Sequence, residues 1–286
     1  MSPVLSEADR AFFDQNGYLV VRQLIPSEQV DAVVDAIWNF LEFDRNDPSD
    51  WYRNPHRVNG MVEMYHDQAL WDVRQNPALY ELFRELFDRD DLWVYIDRAN
   101  LKPPPNEAHS EYDHHGMIHW DIDVRETPTP FLVQGVLYLV DTKQREGGFQ
   151  CVPGLHRRAA QVSAGISDQD LRHQQLHERF PAQIGPPIEV EANAGDFIIW
   201  HSALPHGNSR NFSDKPRLAQ YVRMFPADPA DEELREARIA SWRESAHPAF
   251  QNPRAFPGDP RGKESESPPA QLTPLGRKLL GLDDWI

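Results

Sequence analysis

Residues 92–102, Leu-Trp-Val-Tyr-Ile-Asp-Arg-Ala-Asn-Leu-Lys, mark the point where the chain changes its period. Apolar and polar side chains alternate there, as they do along a half-buried strand. Pro103-Pro104-Pro105 then stops the strand, since proline has no N–H to offer a ladder. Before this stretch the pattern is helical. Residues 6–16 read as a short helix ended by Gly17, followed by a β-rich run at 18–22. Leu24-Ile25-Pro26 leads into Ser27, the expected N-cap of a helix with Val30, Val33, Val34, Ile37, Phe40 and Leu41 at helical spacing. Residues 44–60, dense in Asp, Asn and Pro, read as loop. Asn76-Pro77 opens another helix, with Leu79, Leu82, Phe83, Leu86 and Phe87 on one face. After residue 102, strand-like runs dominate: 117–124, 131–140, 148–152, 188–191, 196–201 and 217–225. Helices first and many short strands after predict a mainly β fold, a sandwich or barrel with helices packed on one sheet.

Residues 1–225 carry this pattern as one domain. Residues 154–187 interrupt it as a long insertion, with a weak helix near 167–179. Together with the polar loop at 105–116 they read as a lid, because long loops in compact domains are often functional. Residues 226–286 form an extension. It begins with a charged, partly helical segment, passes through a Pro-, Gly- and Ser-rich stretch at 246–274 that resembles linker, and ends in a short helix docked by Leu275, Leu279 and Leu280.

Composition narrows the function. The 286 residues carry 29 basic and 45 acidic side chains, a formal charge of −16, which disfavours nucleic acid and anionic membrane surfaces as partners. Apolar residues make up 40%, enough for a substantial core. The single cysteine, Cys151, can form neither an intrachain disulfide nor a zinc-type cysteine cluster, and it fits a reducing compartment. No secretory signal and no spanning apolar run is visible, so a cytoplasmic protein acting on a small molecule is expected.

The chemistry centres on Ile118-His119-Trp120-Asp121-Ile122. Residues two apart in a strand point the same way, so His119 and Asp121 can reach one metal. A third ligand is offered by His206 in Leu204-Pro205-His206-Gly207. Two imidazoles and a carboxylate on one face leave positions open for a bidentate 2-oxo acid and O₂, the use made of this triad by non-haem iron oxygenases. The distal carboxylate of such an acid calls for a fixed bidentate cation, and Arg217, opening a strand after the distal histidine, is well placed. His/Asp/His can equally hold zinc, which leaves a hydrolase open, and a barrel without turnover would be a binding protein.

Five segments together resemble the phytanoyl-CoA dioxygenase-like branch of the iron/2-oxoglutarate oxygenases, over most of residues 8–225. They are FFDQNGYLVVRQLIPSEQVDAVVDAI, NLKPP, IHWD, GGFQCVPGLHR and GDFIIWHSALPHGNSRNFSDKPR. The resemblance implies a double-stranded β-helix, a cupin-like jelly roll, with N-terminal helices on one sheet. It implies Fe(II), 2-oxoglutarate and O₂ as the reacting system. It puts metal ligation on His119, Asp121 and His206, and the distal-carboxylate salt bridge on Arg217. Asn208 falls where some members place a small polar contact to that carboxylate. Many oxygenases carry a hydroxyl residue two after the arginine; here that position is Ala219, so a second donor must come from elsewhere, with Arg98 and Lys102 as candidates. Trp120 replaces the commoner Gln within the H-x-D segment and is expected to narrow the substrate mouth. Gln134 and His115 are further candidates for the pocket. The implied reaction is hydroxylation of an unactivated C–H bond with release of succinate and CO₂. Desaturation, epoxidation or cyclisation remain open, while the carboxylate at 121 argues against halogenation.

Overall fold

The computed structural model describes residues 3–53, 60–126, 129–171 and 175–285. Parts of the 44–60 loop and of the 167–179 segment therefore lie outside the described residues. The chain opens with α1 (Glu7–Asn16), closed at its start by a reciprocal Ser6/Asp9 capping box and at its end by Gly17 in the left-handed region. β1 (Tyr18–Val21) follows, then α2 (Ser27–Leu41). Ser27 lies inside α2. The N-cap is Pro26, which makes no side-chain cap bond, so the expected Ser27 cap is not used. Next come β2 (Met61–Val62), α3 (Gln68–Arg74) and α4 (Pro77–Phe87), the last capped by Asn76 as its sequence predicts.

The stretch 92–102 is not one strand. It breaks into β3 (Leu92–Val94) and β4 (Ala99–Lys102), which enter different sheets. β5 (Val133–Tyr138), β6 (Phe149–Cys151), β7 (Ile188–Glu189), β8 (Phe197–His201), β9 (His206–Asn208), β10 (Arg217–Tyr221) and β11 (Met224–Pro226) complete the strands. A six-stranded sheet has the order β1-β8-β5-β10-β4-β2, and a three-stranded sheet the order β7-β6-β9; β3 and β11 pair separately. All the strand pairings are antiparallel. The expected strand at 117–124 shrinks to two bridging residues: Ile118 meets Gln175, and His119 meets His206. The chain bends immediately afterwards, at Asp121.

The alternation along each strand sorts the core into layers. Leu19, Leu137, Phe197, Ile199 and Leu218 face one way, onto Val33, Ile37, Trp71 and Phe83 of the helices. Val136, Tyr138, Ile198, Trp200 and Ala219 face the other way, onto Phe149, Cys151 and Leu204. Among its described residues the insertion holds four short helices, α5 (Ala159–Ser163), α6 (Asp168–Leu171), α7 (Leu176–Arg179) and α8 (Pro181–Ile184). With Ile118 and Trp120 it builds a third apolar cluster through Leu155, Leu176 and Ile184.

The tail departs from the linker expectation. After α9 (Glu232–Arg243), residues 246–272 fold back onto the domain. Gln251 exchanges two hydrogen bonds with the Ile96 main chain, at 3.2 and 2.7 Å. Glu264 accepts the amide N–H groups of Tyr65 and His66, at 2.7 and 2.6 Å. Burial pushes the Glu264 carboxyl up to about 7. Proline and serine enrichment is a statement about propensity, and here side-chain bonds to the main chain override it. α10 (Pro274–Leu280) docks through Leu279 and Leu280 as predicted. Among the described residues, no helix is long and apolar enough to cross a membrane.

Candidate metal centre and its cavity

Between the six-stranded and the three-stranded sheet lies a cavity of about 230 Å³. His119, Asp121 and His206 meet on its wall, each offering a donor atom, all within 4.8 Å of one another. The histidines are brought together by backbone pairing. The His119 N–H donates to the His206 carbonyl at 2.9 Å, and the reverse bond is 3.1 Å. Gly207 permits that close approach, because a Cβ there would collide with the Met117 carbonyl. Nδ1 of His206 donates to the Leu204 carbonyl at 2.9 Å, and a carbonyl can only accept. Nε2 therefore keeps its lone pair toward the cavity, the arrangement a metal-ligating imidazole needs.

Asp121 lies between the two rings. Oδ1 is 3.1 Å from Nε2 of His119, and Oδ2 is 3.3 Å from Nε2 of His206. The adjacent imidazoles, His119 first, outweigh the partial burial of this side chain and hold the carboxyl well below the usual carboxylate range.

Beyond these residues the cavity is lined by the buried Lys102, whose ladder partner Arg217 is a second buried cation. Arg217 on β10 and Lys102 on β4 face each other in register. Nη1 of Arg217 donates to Oδ1 of Asn100 at 3.1 Å. Nε and Nη2 of Arg217 and Nζ of Lys102 have no hydrogen-bond partner among the described residues. Burial first, and the neighbouring guanidinium second, push the Lys102 ammonium well below its ordinary value. Burial first, and the same two cations after it, hold His114 down to about 3. Two like charges buried side by side with unused donors are costly unless an anion joins them.

The other candidates are placed as follows. Asn208 lines the cavity beside His206. Gln134 lines it too, and its Nε2 donates to Oδ2 of Asp121 at 2.9 Å. Arg98 also lines the cavity, four residues before Lys102 and just ahead of β4. Nη1 of Arg98 is spent on Glu63, the Tyr65 hydroxyl and the Ala255 carbonyl, and its guanidinium stacks 4.5 Å from the Phe256 ring. Of the two candidates for a second donor beside Arg217, the geometry favours Lys102 and not Arg98. Trp120 does not narrow the mouth. It points the opposite way from its neighbours 119 and 121, into the insertion's apolar cluster, and Nε1 bonds the Ala203 carbonyl at 2.8 Å. His115 sits on an exposed loop, 3.9 Å from Asp113, and does not line the cavity.

Three contributors went unread in the sequence. Asn100 was findable, since Arg98, Asn100 and Lys102 share one face of a strand by alternation. Tyr138, whose ring lies 5.4 Å from the Arg217 guanidinium carbon, could have been read the same way from Gln134 and Val136. Phe256 gave no signal, because the tail looked like linker.

A family model described as phytanoyl-CoA dioxygenase (PhyH) matches residues 13–219. An Aspergillus versicolor relative, "Ava biosynthesis cluster protein O", is 24% identical over 260 residues, covering 79% of this chain and 80% of its own. The crystal structure of GIG2 (DUF1479) from Candida albicans shares the fold with a TM-score of 0.76 at 13% identity, covering 100% of this chain and 78% of that one. The epimerase SnoN, solved in complex with Fe³⁺, α-ketoglutarate and nogalamycin RO, superposes with a TM-score of 0.57 at 18% identity, over 77% of this chain and 83% of its own. The match to the family model spans well over half of the sequence. The chain belongs to the phytanoyl-CoA dioxygenase (PhyH) family, and with it to the iron- and 2-oxoglutarate-dependent oxygenases.

Proposed function

We propose that this enzyme hydroxylates an unactivated C–H bond of a small molecule, with His119, Asp121 and His206 as iron ligands and Arg217 and Lys102 as the anchor for 2-oxoglutarate. The reading takes the two facing sheets as the halves of a double-stranded β-helix formed by residues 1–225, with 226–286 as an extension that helps wall the site. The observation that carries it is a convergent His/Asp/His set in a cavity also lined by Lys102, whose ladder partner Arg217 is a second buried cation with unused donors. A zinc hydrolase has no need of the second feature.

The residues present fit the groups the family uses. Two neutral imidazole nitrogens and one ionised carboxylate suit Fe(II), and they occupy one side of it. A dicarboxylate matches the two cations, with the arginine fork giving direction and the lysine a second positive charge. When bound, iron with 2-oxoglutarate and O₂ supplies the oxidising power for C–H cleavage, with succinate and CO₂ as by-products. Arg217 and Lys102 fix the far carboxylate and so aim the 2-oxo end toward the His/Asp/His wall. Leu204 holds the His206 ring in its tautomer. Val136, Phe149 and Trp200 keep the wall of the cavity apolar. The substrate lies between the ligands and the far wall made by Asp97, Arg98 and Phe256, which suits a molecule with one polar end. The insertion 154–187 and the loop 105–116 close over the site when it is filled.

The test is succinate release from 2-oxoglutarate by iron-loaded protein across a panel of small molecules. Substrate-stimulated succinate matched by a product heavier by one oxygen supports hydroxylation. A product lighter by two hydrogens means desaturation or ring closure instead. Hydrolysis of panel members by zinc-loaded protein, with no succinate from the iron form, would overturn the reading.

A further inference from the structure

The three proposed ligands are not held equally well. His206 is fixed twice, by its place in β9 and by the Leu204 carbonyl on Nδ1. His119 is fixed by two main-chain bonds to His206. Asp121 lies past that bridge, in a bend, where no ladder sets its direction. Trp120 anchors the main chain beside it through Ala203, but nothing in that bond orients the carboxylate. The carboxylate's own partners are the two imidazole Nε2 atoms and the Gln134 side chain.

With a metal bound, both imidazoles would turn their Nε2 lone pairs to it, and neither could donate to Asp121. Gln134 remains. It stands on β5 at an inward position, two before Val136, with its backbone paired to Trp200 of β8 and the strand held on its other side by β10 from Val136 onward. A carboxylate accepts hydrogen bonds and does not donate them, so the Gln134 amide nitrogen is the atom that faces it, at 2.9 Å. The amide oxygen is then turned away from Asp121.

We propose that Gln134 is a positioning residue for the metal carboxylate. Its amide holds one oxygen of Asp121, so that the other alone is presented to the metal. A carboxylate left to rotate could chelate with both oxygens and cover a position that the 2-oxo acid or O₂ needs. The inference rests on the metal reading given above, and it assigns Gln134 a role distinct from lining the substrate pocket.

The experiment uses Co(II) as probe, added anaerobically to the metal-free full-length protein and followed by its visible absorption. Gln134→Met keeps the length and approximate volume of the side chain and removes the donor; Gln134→Leu is the second variant. Both should bind Co(II) about 10–100-fold more weakly, the usual cost of losing such a support. Both should change the Co(II) spectrum, while thermal unfolding of the metal-free protein stays as in the wild type. Unchanged Co(II) affinity and spectrum would overturn the proposal. So would weaker binding accompanied by an equal loss of metal-free stability, because that is a packing effect. His206→Ala separates the two levels of the argument. If it loses Co(II) while Gln134→Met binds normally, positioning alone is wrong. If His206→Ala also binds normally, the metal reading falls, and Gln134 with it.

Discussion

Replacing Arg217 by methionine should cripple binding of 2-oxoglutarate while leaving the ligand-free fold at least as stable. The structure sets both halves of that expectation. Arg217 is buried, and two of its donors, Nε and Nη2, have no partner, whereas its Nη1 bonds Asn100. Lys102 stands opposite it in the ladder with an unpartnered ammonium. Without an anion the two cations repel each other in a desolvated place, so removing one relieves the other, offsetting the lost Asn100 bond. With the C5 carboxylate in place, the arginine fork becomes half of a desolvated ion pair. Truncating one partner of such a pair costs about 2–5 kcal/mol, and at about 1.4 kcal/mol per tenfold that is a thirty- to several-thousand-fold loss of affinity. Arg217→Lys should fall between, keeping charge without the bidentate fork. The assay is calorimetric titration of Ni(II)-loaded protein, which cannot turn over, alongside thermal unfolding of the metal-free form. An Arg217→Met protein that binds 2-oxoglutarate as tightly as the wild type would refute the reasoning, because the unused Nε and Nη2 donors would then serve no carboxylate.

Further outcomes follow from the same structure. Lys102 lines the cavity with an unpartnered ammonium opposite Arg217, so Lys102→Met should weaken 2-oxoglutarate in the same calorimetric titration while metal binding stays as in the wild type; unchanged affinity would remove Lys102 from the anchor. Glu264, pushed up to about 7 from 4.5 by burial, binds a proton more readily folded than unfolded. Stability should then fall as pH rises from about 4.5 to about 7, by about 3 kcal/mol at about 1.36 kcal/mol per unit, and Glu264→Gln should flatten that slope in pH-dependent unfolding. Residues 154–187 and 105–116 should exchange amide hydrogens more slowly once metal, 2-oxoglutarate and substrate are bound; equal exchange with and without ligands would count against closure.

How much of this was written in the sequence depends on the range of the interaction. The switch from helical to alternating pattern at residue 92 is local, and it correctly gave helices packed on β-sheets. The break between Val94 and Ala99 is not local. It arises because β3 must leave for β11 while β4 stays beside β10, a choice made by partners far along the chain. His119 and Asp121 were expected side by side on one strand. They do meet, but the strand ends at His119, and a bend together with Gln134 brings the carboxylate round. Trp120 was misjudged as a mouth residue although the alternation used for its neighbours already sent it the other way. Lys102 and Arg98 looked equivalent in sequence, since alternation put both on one face of the expected strand at 92–102. Which of them stays unpaired was decided by Glu63 and Ala255, from segments with no signal linking them to that strand. The tail's packing was hidden for the same reason, as a buried glutamate bonding two amides leaves no trace in a Pro- and Ser-rich composition.

The central claim is that His119, Asp121 and His206 hold one iron that 2-oxoglutarate then joins. Anaerobic titration of the metal-free protein with Fe(II) and 2-oxoglutarate, read by visible absorption, tests it most directly. The account predicts a band that saturates at one iron per chain in the wild type and is absent in His119→Ala and His206→Ala, while Arg217→Met still binds iron but needs far more 2-oxoglutarate to show the band. A full-strength band at the same stoichiometry in both histidine variants would contradict it.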